Sequence, residues 1–295
     1  MKNLTLLVLI SIFTLNTGYS QVSVSSISPT SIYGGMGRKV TINGSGFGAS
    51  RGSNYVSFYK TNSNYMSSSE GNSLNYISWS NTKIELEMPQ AYSNKVRVYI
   101  GGNSYSSADS LSVLANLNTR SLNPRKYYHL STKNNGKAVV WHIHKTYWDI
   151  PAIKTAIEEV FKEFRCKTGV NYILATSSST APLTLSDNIN LIAPKNTGLP
   201  GYNRRSWSSC GTFYSNRTQD IEISSQLTYY YGTGAAPSST AKFRYILMHE
   251  LGHSIGLGHV NEHGQTMFPS VTASPSNAWS QRDTLTIDEK IAGTY

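Results

Sequence analysis

The chain has 295 residues, of which 39% are hydrophobic and 14% are charged, and its formal net charge is +10. The basic residues are spread along the chain, a distribution that suits solubility and weak attraction to acidic surfaces and does not indicate a nucleic-acid site. No stretch beyond residue 20 is long and apolar enough for a membrane helix, so we expect no membrane span. The length exceeds what one ordinary domain needs, and two domains are therefore expected.

The first 20 residues have the pattern of a secretory signal peptide. Lys2 precedes an apolar run, and the small residues Gly18 and Ser20 lie three positions and one position before a cleavage site at Gln21. The apolar run, about a dozen residues, is too short for a single-pass anchor. We expect a signal peptide over residues 1–20 and a mature protein that is secreted, extracellular or associated with the cell surface.

Residues 21–115 contain short runs of alternating polar and apolar residues, separated by Gly, Asn, Ser and Pro. Such runs predict the strands of a small antiparallel β-domain. The clearest predicted strands are residues 39–42, 55–58, 83–86 and 96–99.

The opening of this region carries a family resemblance. It reads ISPTS from Ile27, then Gly34-Gly35, then VTINGSGFG over residues 40–48. Closely spaced glycines permit positive φ where strands reverse. The pattern resembles the IPT/TIG family of immunoglobulin-like sandwiches. The resemblance implies an all-β, immunoglobulin-like domain that acts as a spacer or as a binding module, with a surface glycan or a protein as the candidate ligand.

Residues 116–126 form a polar stretch with Pro124 near its end, and we expect them to be the linker. The chain has two cysteines, Cys166 and Cys210. In an exported protein two cysteines suggest one disulfide, and two free thiols are the alternative.

Residues 127–295 alternate between strand and helix patterns. Residues 138–144 predict a strand, and a helix is expected to begin at Pro151, since proline is favoured at the first helical position. Further strands are predicted at residues 170–174, 189–193 and 220–224, and a second helix at residues 243–256. The first helix has one apolar face, made of Ile153, Ala156, Ile157, Val160, Phe161 and Phe164. Ser238, Ser239 and Thr240 are the candidate caps of the second.

The second helix contains the motif HELGHSIGLGH, residues 249–259. Positions i and i+4 share one face of a helix, so His249 and His253 can bind one metal ion. Glu250 lies roughly 100° round the helix, where its carboxylate can reach a water on that metal. Gly256 can take the left-handed conformation that ends a helix, so that the chain turns and brings His259 back.

A bare pair of histidines at this spacing is more often two partly buried polar residues than a metal site. The full motif fixes three histidines, a glutamate and a glycine in eleven positions, and this favours metal binding. Three imidazoles and one water make the open tetrahedral zinc site that catalysis needs.

The motif is the metzincin signature of zinc peptidases. Met267-Phe268-Pro269 follows His259 by eight residues, and this spacing is most similar to the matrixin branch. The resemblance implies an α+β metzincin (zincin-like) catalytic domain over residues 127–295, and so a multidomain protein. Met267 would lie in a tight turn that supports the histidines. A last short helix is expected from the capping box at residues 286–289, where the matrixin domain ends.

The resemblance implies one catalytic Zn²⁺, held by His249, His253 and His259. The implied reaction is hydrolysis of internal peptide bonds, with Glu250 as general base on a zinc-bound water. Extended peptide substrates would bind by strand addition to an edge strand above the cleft. Residues 268–278 are expected to line the specificity pocket.

Other metal sites are not indicated. His142 and His144 lie two apart on a predicted strand and could be ligands of a second metal. Matrixins carry a structural zinc in a loop rich in His and Asp, but residues 177–215 contain no histidine and one aspartate, Asp187. Structural Ca²⁺ is common in that family, and no acidic cluster here assigns it. His129 and His263 are expected to be exposed.

The chain departs from matrixins in its regulation. Matrixins are kept inactive by a propeptide cysteine, and there is no cysteine between residues 21 and 165. Glu70 and Asp109 are among the few acidic residues of the β-domain that could block the cleft instead, although a role in presenting or tethering the enzyme is favoured. The competing function is a secreted or surface adhesion protein with an inactive zinc fold, and the intact Glu250 argues against it.

Overall fold

A computed structural model describes residues 21–61, 64–122, 125–129, 138–185, 187–210, 213–234, 236–262 and 265–269. The expected signal peptide and the expected last helix lie outside these residues. Within the described part, no helix has the length and apolar character needed to cross a membrane.

Residues 23–117 form mainly strands. In chain order the elements are β1 (Ser23–Ser28), β2 (Ser31–Gly34), β3 (Lys39–Ser45), β4 (Tyr55–Ser57), β5 (Tyr59–Thr61), β6 (Asn64–Tyr65), α1 (Ser68–Asn72), β7 (Tyr76–Trp79), β8 (Lys83–Glu87), β9 (Asn94–Ile100) and β10 (Asn103–Leu117). The four strands expected in this region are all present.

The elements that follow are mixed strands and helices. They are β11 (Thr119–Leu122), β12 (Arg125–His129), β13 (Val139–Ile143), α2 (Lys145–Trp148), α3 (Pro151–Thr168), β14 (Tyr172–Leu174), β15 (Asn190–Lys195), β16 (Gly201–Cys210), β17 (Phe213–Ser224), β18 (Tyr229–Tyr230), β19 (Ala241–Lys242), α4 (Phe243–Ser254) and β20 (Leu257–Gly258).

The first part is built from two sheets, with the strand orders β1-β3-β8-β7 and β2-β10-β9-β4. Along β3 and β8, buried residues alternate with more exposed ones, as the period of two in a strand requires. A single apolar core joins the two sheets and includes the fully buried Val40, Ile42, Phe47, Val56, Ile84, Leu86 and Val98. The prediction of a strand-rich sandwich is confirmed for this region.

The second part contains a sheet with the order β11-β12-β17-β15-β13-β14. In this order, every neighbouring pair between β12 and β14 is parallel: β12 with β17, β17 with β15, β15 with β13, and β13 with β14. Strand β16 runs antiparallel to β17 on the same sheet. Strand β16 lies beside α4, because the Asn203 side chain of the strand donates to the Glu250 carbonyl of the helix.

Helix α3 follows the sequence pattern closely. It begins at Pro151 and ends before Gly169, whose φ of 71° allows the chain to leave the helix. The whole predicted apolar face is buried, and it packs against Trp141 of β13 and Tyr172 of β14. Burying each large apolar side chain contributes roughly 1.5–3 kcal/mol, so this face fixes α3 on the sheet.

Helix α4 begins differently from the prediction. None of the three candidate caps is used: Lys242 is the N-cap and makes no side-chain capping bond. The strand β19 pairs with β18 and leads straight into the helix, so the chain has no free turn in which a cap could form. The Thr240 hydroxyl donates to the Pro237 carbonyl instead. Arg244 pairs with Glu159 and ties α4 to α3.

The expected linker is also different in the structure. Residues 116–117 belong to β10, and residues 119–122 and 125–129 form the hairpin of β11 and β12. This segment is polar because the side chains of Asn116 and Asn118 donate to the backbone carbonyls of His259 and Leu257, and not because it is fully solvated.

The expected disulfide is not supported, since Cys166 is exposed and free. The side chain of Cys210 lies outside the described residues.

Asp220 of β17 generates a prediction about stability and pH. The residue is fully buried, and burial, followed by the nearby charge of Asp187, raises its pKa from 3.8 to about 7. The folded protein therefore holds this proton up to about pH 7, whereas the unfolded chain releases it near its ordinary pKa. A raised carboxyl pKa means that folding stability is lost as the pH rises through this window.

We expect Asp220→Asn to remove this loss of folding stability at high pH, because the amide does not ionise. The thermal midpoint of the variant should exceed that of the wild type at pH 8, by roughly 2–4 °C for each kcal/mol regained, and should match it at pH 4. The exposed Asp109→Asn is the control, with no shift at either pH. An equal shift of the Asp220→Asn midpoint at both pH values would contradict the assignment.

Candidate metal centre

Helix α4 places two histidines one turn apart. His249 and His253 occupy positions i and i+4, and their ring centroids are 4.7 Å apart. His249 is only 6% exposed, because α4 is buried over almost its whole length. The two imidazoles therefore share one face of a helix that cannot move freely.

A sharp turn after α4 returns the third histidine. Gly256 has a φ of 91°, in the region where side-chain-bearing residues are strained, and it reverses the chain into β20. His259 then lies with its Nε2 atom 3.2 Å from His249 Nε2 and 3.1 Å from His253 Nε2. We call His249, His253 and His259 the histidine centre, and residues 255–262 the histidine loop.

Two backbone carbonyls set the tautomers. His249 Nδ1 donates to the Thr266 carbonyl at 2.7 Å, and His253 Nδ1 donates to the Leu257 carbonyl at 2.8 Å. A carbonyl can only accept, so each Nδ1 carries the proton and each Nε2 presents a lone pair. The short contacts between the Nε2 atoms of the centre therefore cannot all be hydrogen bonds.

The imidazoles are also held neutral. Burial lowers the pKa of His249 to about 3, and burial lowers the pKa values of His253 and His259 as well. A neutral imidazole is the form that binds a metal, because its lone pair is free. The lone pairs of His249 Nε2 and His253 Nε2 converge in a buried place and repel each other, and a cation between the rings would remove this repulsion.

The distances fit a zinc ion. Tetrahedral Zn–N bonds of about 2.0–2.1 Å put the ligand nitrogens roughly 3.3 Å apart, close to the two distances measured here. The three ring nitrogens lie within 4.8 Å of one another. Among the described residues, this is the one group of three or more metal-ligating side chains, and it leaves the fourth position of a tetrahedron open.

Glu250 lies beside the histidine centre, packed against β16. It is 5% exposed, and its Oε2 atom has no hydrogen-bond partner among the described residues. Burial raises its pKa to about 8, against the opposing charge of Arg205. A methyl group on Gly201 would lie 2.8 Å from Glu250 Oε1, so a glycine is needed where β16 passes this carboxylate.

The strand β16 is bound to α4 by side chains on one of its faces. Asn203 donates to the Glu250 carbonyl at 3.2 Å, and Arg205 donates to the His253 carbonyl at 2.8 Å. Gly201, Asn203 and Arg205 alternate along the strand, so they face the same side. These residues were not predicted from the sequence, because no strand was predicted over residues 201–210 and only a strand places residues two apart on one face.

The histidine centre opens into a cleft of about 390 Å³. Most of the lining comes from the segment that enters and begins β16 and from helix α4 with the histidine loop. Pro269, Gln90 of the first part and Asn118, which follows β10, complete it. The residues are Leu199, Pro200, Gly201, Tyr202, Asn203, Arg205, Ile246, His249, Glu250, His253, His259, Pro269, Gln90 and Asn118.

Met267 packs under the helix between the first two histidines. It is 1% exposed, and a methyl group on Gly252 would lie 2.4 Å from its sulfur. The Met267 carbonyl accepts from the Val260 N–H, which links this turn to the histidine loop. This position is compatible with the supporting role expected for Met267.

The other candidates lie elsewhere. His144 caps α2 by accepting from the Thr146 N–H, and neither it nor His142 belongs to a metal-ligating group within the described residues. Glu70 caps α1 and pairs with Lys60, and neither Glu70 nor Asp109 lines the cleft. Within residues 268–278, only Phe268 and Pro269 are described, and His263 and the side chain of His129 are outside the described residues.

Comparisons with known proteins agree with this geometry. Residues 133–290 match the model of the matrixin family, and residues 23–113 match that of the IPT/TIG domain. The first match spans more than half of the chain, and the chain belongs to the matrixin family. The predicted resemblances to both families are confirmed.

None of the curated proteins matches the chain. Among solved structures, a structural genomics protein of unknown function from Bacteroides thetaiotaomicron has 18% identity over 31% of this chain, with a TM-score of 0.26. The chain spans about a fifth of that protein, 21% of its length. A likeness at this level carries no argument about fold or function.

The approach of β16 to Glu250 generates a prediction. Gly201→Ala places a methyl group 2.6 Å from Ile246 Cγ2 and 2.8 Å from Glu250 Oε1, and should displace the Glu250 side chain from the histidine centre. We expect kcat/KM for a peptide substrate to fall by about 10²-fold or more, the scale of acid–base catalysis, while metal content stays at the wild-type value. Gly198→Ala in the same segment is the matched control, because a methyl group there contacts nothing within 4 Å. Equal activity of the two variants would contradict the role given to Gly201.

Proposed function

We propose that this matrixin is a secreted, zinc-dependent endopeptidase that hydrolyses internal peptide bonds of extended protein substrates. One observation carries the proposal: the Nε2 atoms of three imidazoles converge in a cleft that also holds the buried side chain of Glu250. Family membership supports the same reaction class.

His249, His253 and His259 would hold the metal through their Nε2 atoms. A bound zinc ion would supply Lewis acidity, which polarises a scissile carbonyl and makes a water more acidic. The carbonyls of Thr266 and Leu257 would keep two of the ring nitrogens in the ligating tautomer. Met267 would support the helix from below without touching substrate.

Glu250 would act as the general base. Its unpaired Oε2 atom can accept a proton from the attacking water and then deliver that proton to the leaving amine, so that the carboxylate is regenerated. Arg205 and Asn203 would keep the helix and β16 together around this carboxylate.

Extended peptide would bind along β16. This strand pairs with β17 and with no other described strand, which leaves its second edge available for strand addition. Leu199 and Tyr202, at the start of this edge, are 55% and 50% exposed and line the cleft, so they can contact apolar substrate side chains.

The proposal includes export and the division of the chain. Residues 1–20 would be removed as a signal peptide, leaving a sandwich domain (residues 21–115) and a peptidase domain (residues 127–295). Because no cysteine occurs between residues 21 and 165, thiol ligation of the zinc by a preceding segment would not keep this enzyme inactive.

The direct test is Glu250→Gln, which keeps the shape of the side chain and removes its basicity. We expect cleavage of casein and of a fluorogenic peptide library to fall by about 10²–10⁴-fold, the range for general-base catalysis, with zinc still bound at one per chain. A zinc chelator should abolish wild-type cleavage, and added zinc should restore it.

Glu158→Gln, on the exposed side of α3, is the control and should behave as the wild type. Cleavage that persists in Glu250→Gln would refute the proposal. Absence of cleavage by the wild type on every substrate would favour an adhesion protein with an inactive zinc fold.

A further inference from the structure

The sandwich and the histidine centre are joined by one uninterrupted strand. Strand β10 pairs with β9 and β2 in the sandwich, and its last residues, Asn116 and Leu117, also pair antiparallel with Gly258 and Leu257 of β20. Asn116 lies between the two, since it also pairs with Gly34 of β2. The short strand β20, which lies in the histidine loop, is thus an added edge strand of a sandwich sheet. A domain that only tethers its neighbour would make no such pairing.

Asn116 binds the backbone of a histidine of the centre. Its side chain donates to the His259 carbonyl at 2.8 Å and to the Ala91 carbonyl at 2.7 Å, and it accepts from the Ala91 N–H at 3.2 Å. The residue is 1% exposed, and Gly34 makes room for it, since a methyl group there would overlap its Oδ1 atom. Buried hydrogen bonds of this kind fix the position of His259.

Asn118 acts in the same way on His253. Its backbone N–H donates to the Gly256 carbonyl at 2.7 Å, and its side chain donates to the Leu257 carbonyl at 2.9 Å. The same Leu257 carbonyl accepts from His253 Nδ1. The orientation of this imidazole therefore depends on a carbonyl that a residue following β10 holds in place.

The rest of the histidine loop is bound to the sandwich as well. Asn261 and Ser93 exchange two hydrogen bonds, of 2.8 and 3.0 Å. Gln265 donates to the Leu114 carbonyl at 2.9 Å. Apolar residues of the first part, Met36, Ala115 and Leu117, are buried in the same core as α3 and α4. The two parts consequently share a core and a hydrogen-bond network.

Gln90 of the first part has a carboxamide side chain that lines the cleft beside the carboxamide of Asn118. Both side chains pack on Gly258: a methyl group there would lie 2.4 Å from Gln90 Nε2 and 2.8 Å from Asn118 Oδ1. A carboxamide has both a donor and an acceptor, which are the groups that an extended peptide backbone needs.

We propose that the sandwich, together with the end of β10 that leaves it and the residue that follows, is a working part of the active site and not a spacer. Asn116 and Asn118 are positioning residues, which hold His259 and His253 in the geometry that binds the metal. Gln90 contacts the backbone of the bound peptide. This inference rests on the proposed peptidase function and deepens it.

The first experiment measures zinc affinity in the full chain. Asn116→Ala and Asn118→Ala should weaken zinc binding by about 10-fold or more, the effect of removing groups that orient metal ligands, in a competition assay with a chromophoric chelator. Asn116→Ala also removes buried hydrogen bonds and lowers folding stability, so the partly exposed Asn118→Ala is needed as the second variant. Asn103→Ala, at the exposed far end of β10, is the matched control.

The spectrum of the cobalt-substituted protein separates positioning from general stability. A changed ligand geometry should alter the visible absorption of Co²⁺ in Asn118→Ala at a temperature where circular dichroism shows the variant fully folded. A merely structural role would lower the melting temperature and leave this spectrum unchanged, and that result would overturn the positioning role.

The second experiment concerns Gln90. Gln90→Ala should raise KM for a long peptide by about 5-fold, the value of one hydrogen bond, and leave kcat and zinc affinity at wild-type values. Gln226→Ala, on an exposed turn, is the control.

The outcomes distinguish failure of the role given to the sandwich from failure of the proposed peptidase function. If the wild type binds zinc and cleaves peptides but these asparagine variants keep its zinc affinity and Gln90→Ala keeps its KM, the inference is wrong and the peptidase assignment stands. If the wild type binds no zinc, or cleaves independently of Glu250, both are wrong.

Discussion

The structure depends on the convergence of three imidazole rings in a buried place. Helix α4 provides His249 and His253, the left-handed turn at Gly256 returns His259, and two carbonyls hold the tautomers that aim the Nε2 lone pairs of His249 and His253 at a common point. These two lone pairs repel each other unless a cation lies between them. The fold must therefore hold the histidine loop in a fixed position. Many of the other contacts near the cleft bind this loop or the helix that precedes it.

The loop is held from two directions. On one side, the Met267 carbonyl accepts from the Val260 N–H of the loop. Helix α4, from which the loop leaves, is itself fixed by Met267 against Gly252 and by Asn203 and Arg205 of β16, which donate to its carbonyls. On the other side, the end of β10 pairs with β20 and its asparagines bind the loop carbonyls. The sandwich is therefore attached to the part of the site that is least constrained by regular secondary structure.

Sequence patterns correctly predicted the features that depend on residues close together in the chain. The apolar period of α3, its start at Pro151 and the spacing of the histidines all depend on residues a few positions apart, and the structure has each of them. Contacts between distant residues were not predicted. Asn116 and Asn118 are polar and were interpreted as linker, because their partners lie about 140 residues further on. The missing cap of α4 has the same cause, since β19 pairs with a strand that precedes it by ten residues or more.

If His249, His253 and His259 hold one zinc ion with an open fourth position, as we propose, the metal itself can report its ligands. Zinc K-edge X-ray absorption on the full-length protein loaded with one equivalent of zinc should give four nitrogen or oxygen ligands at about 2.0–2.1 Å, with the scattering pattern of three imidazoles. A sulfur ligand at about 2.3 Å, or fewer than three imidazoles, would contradict it.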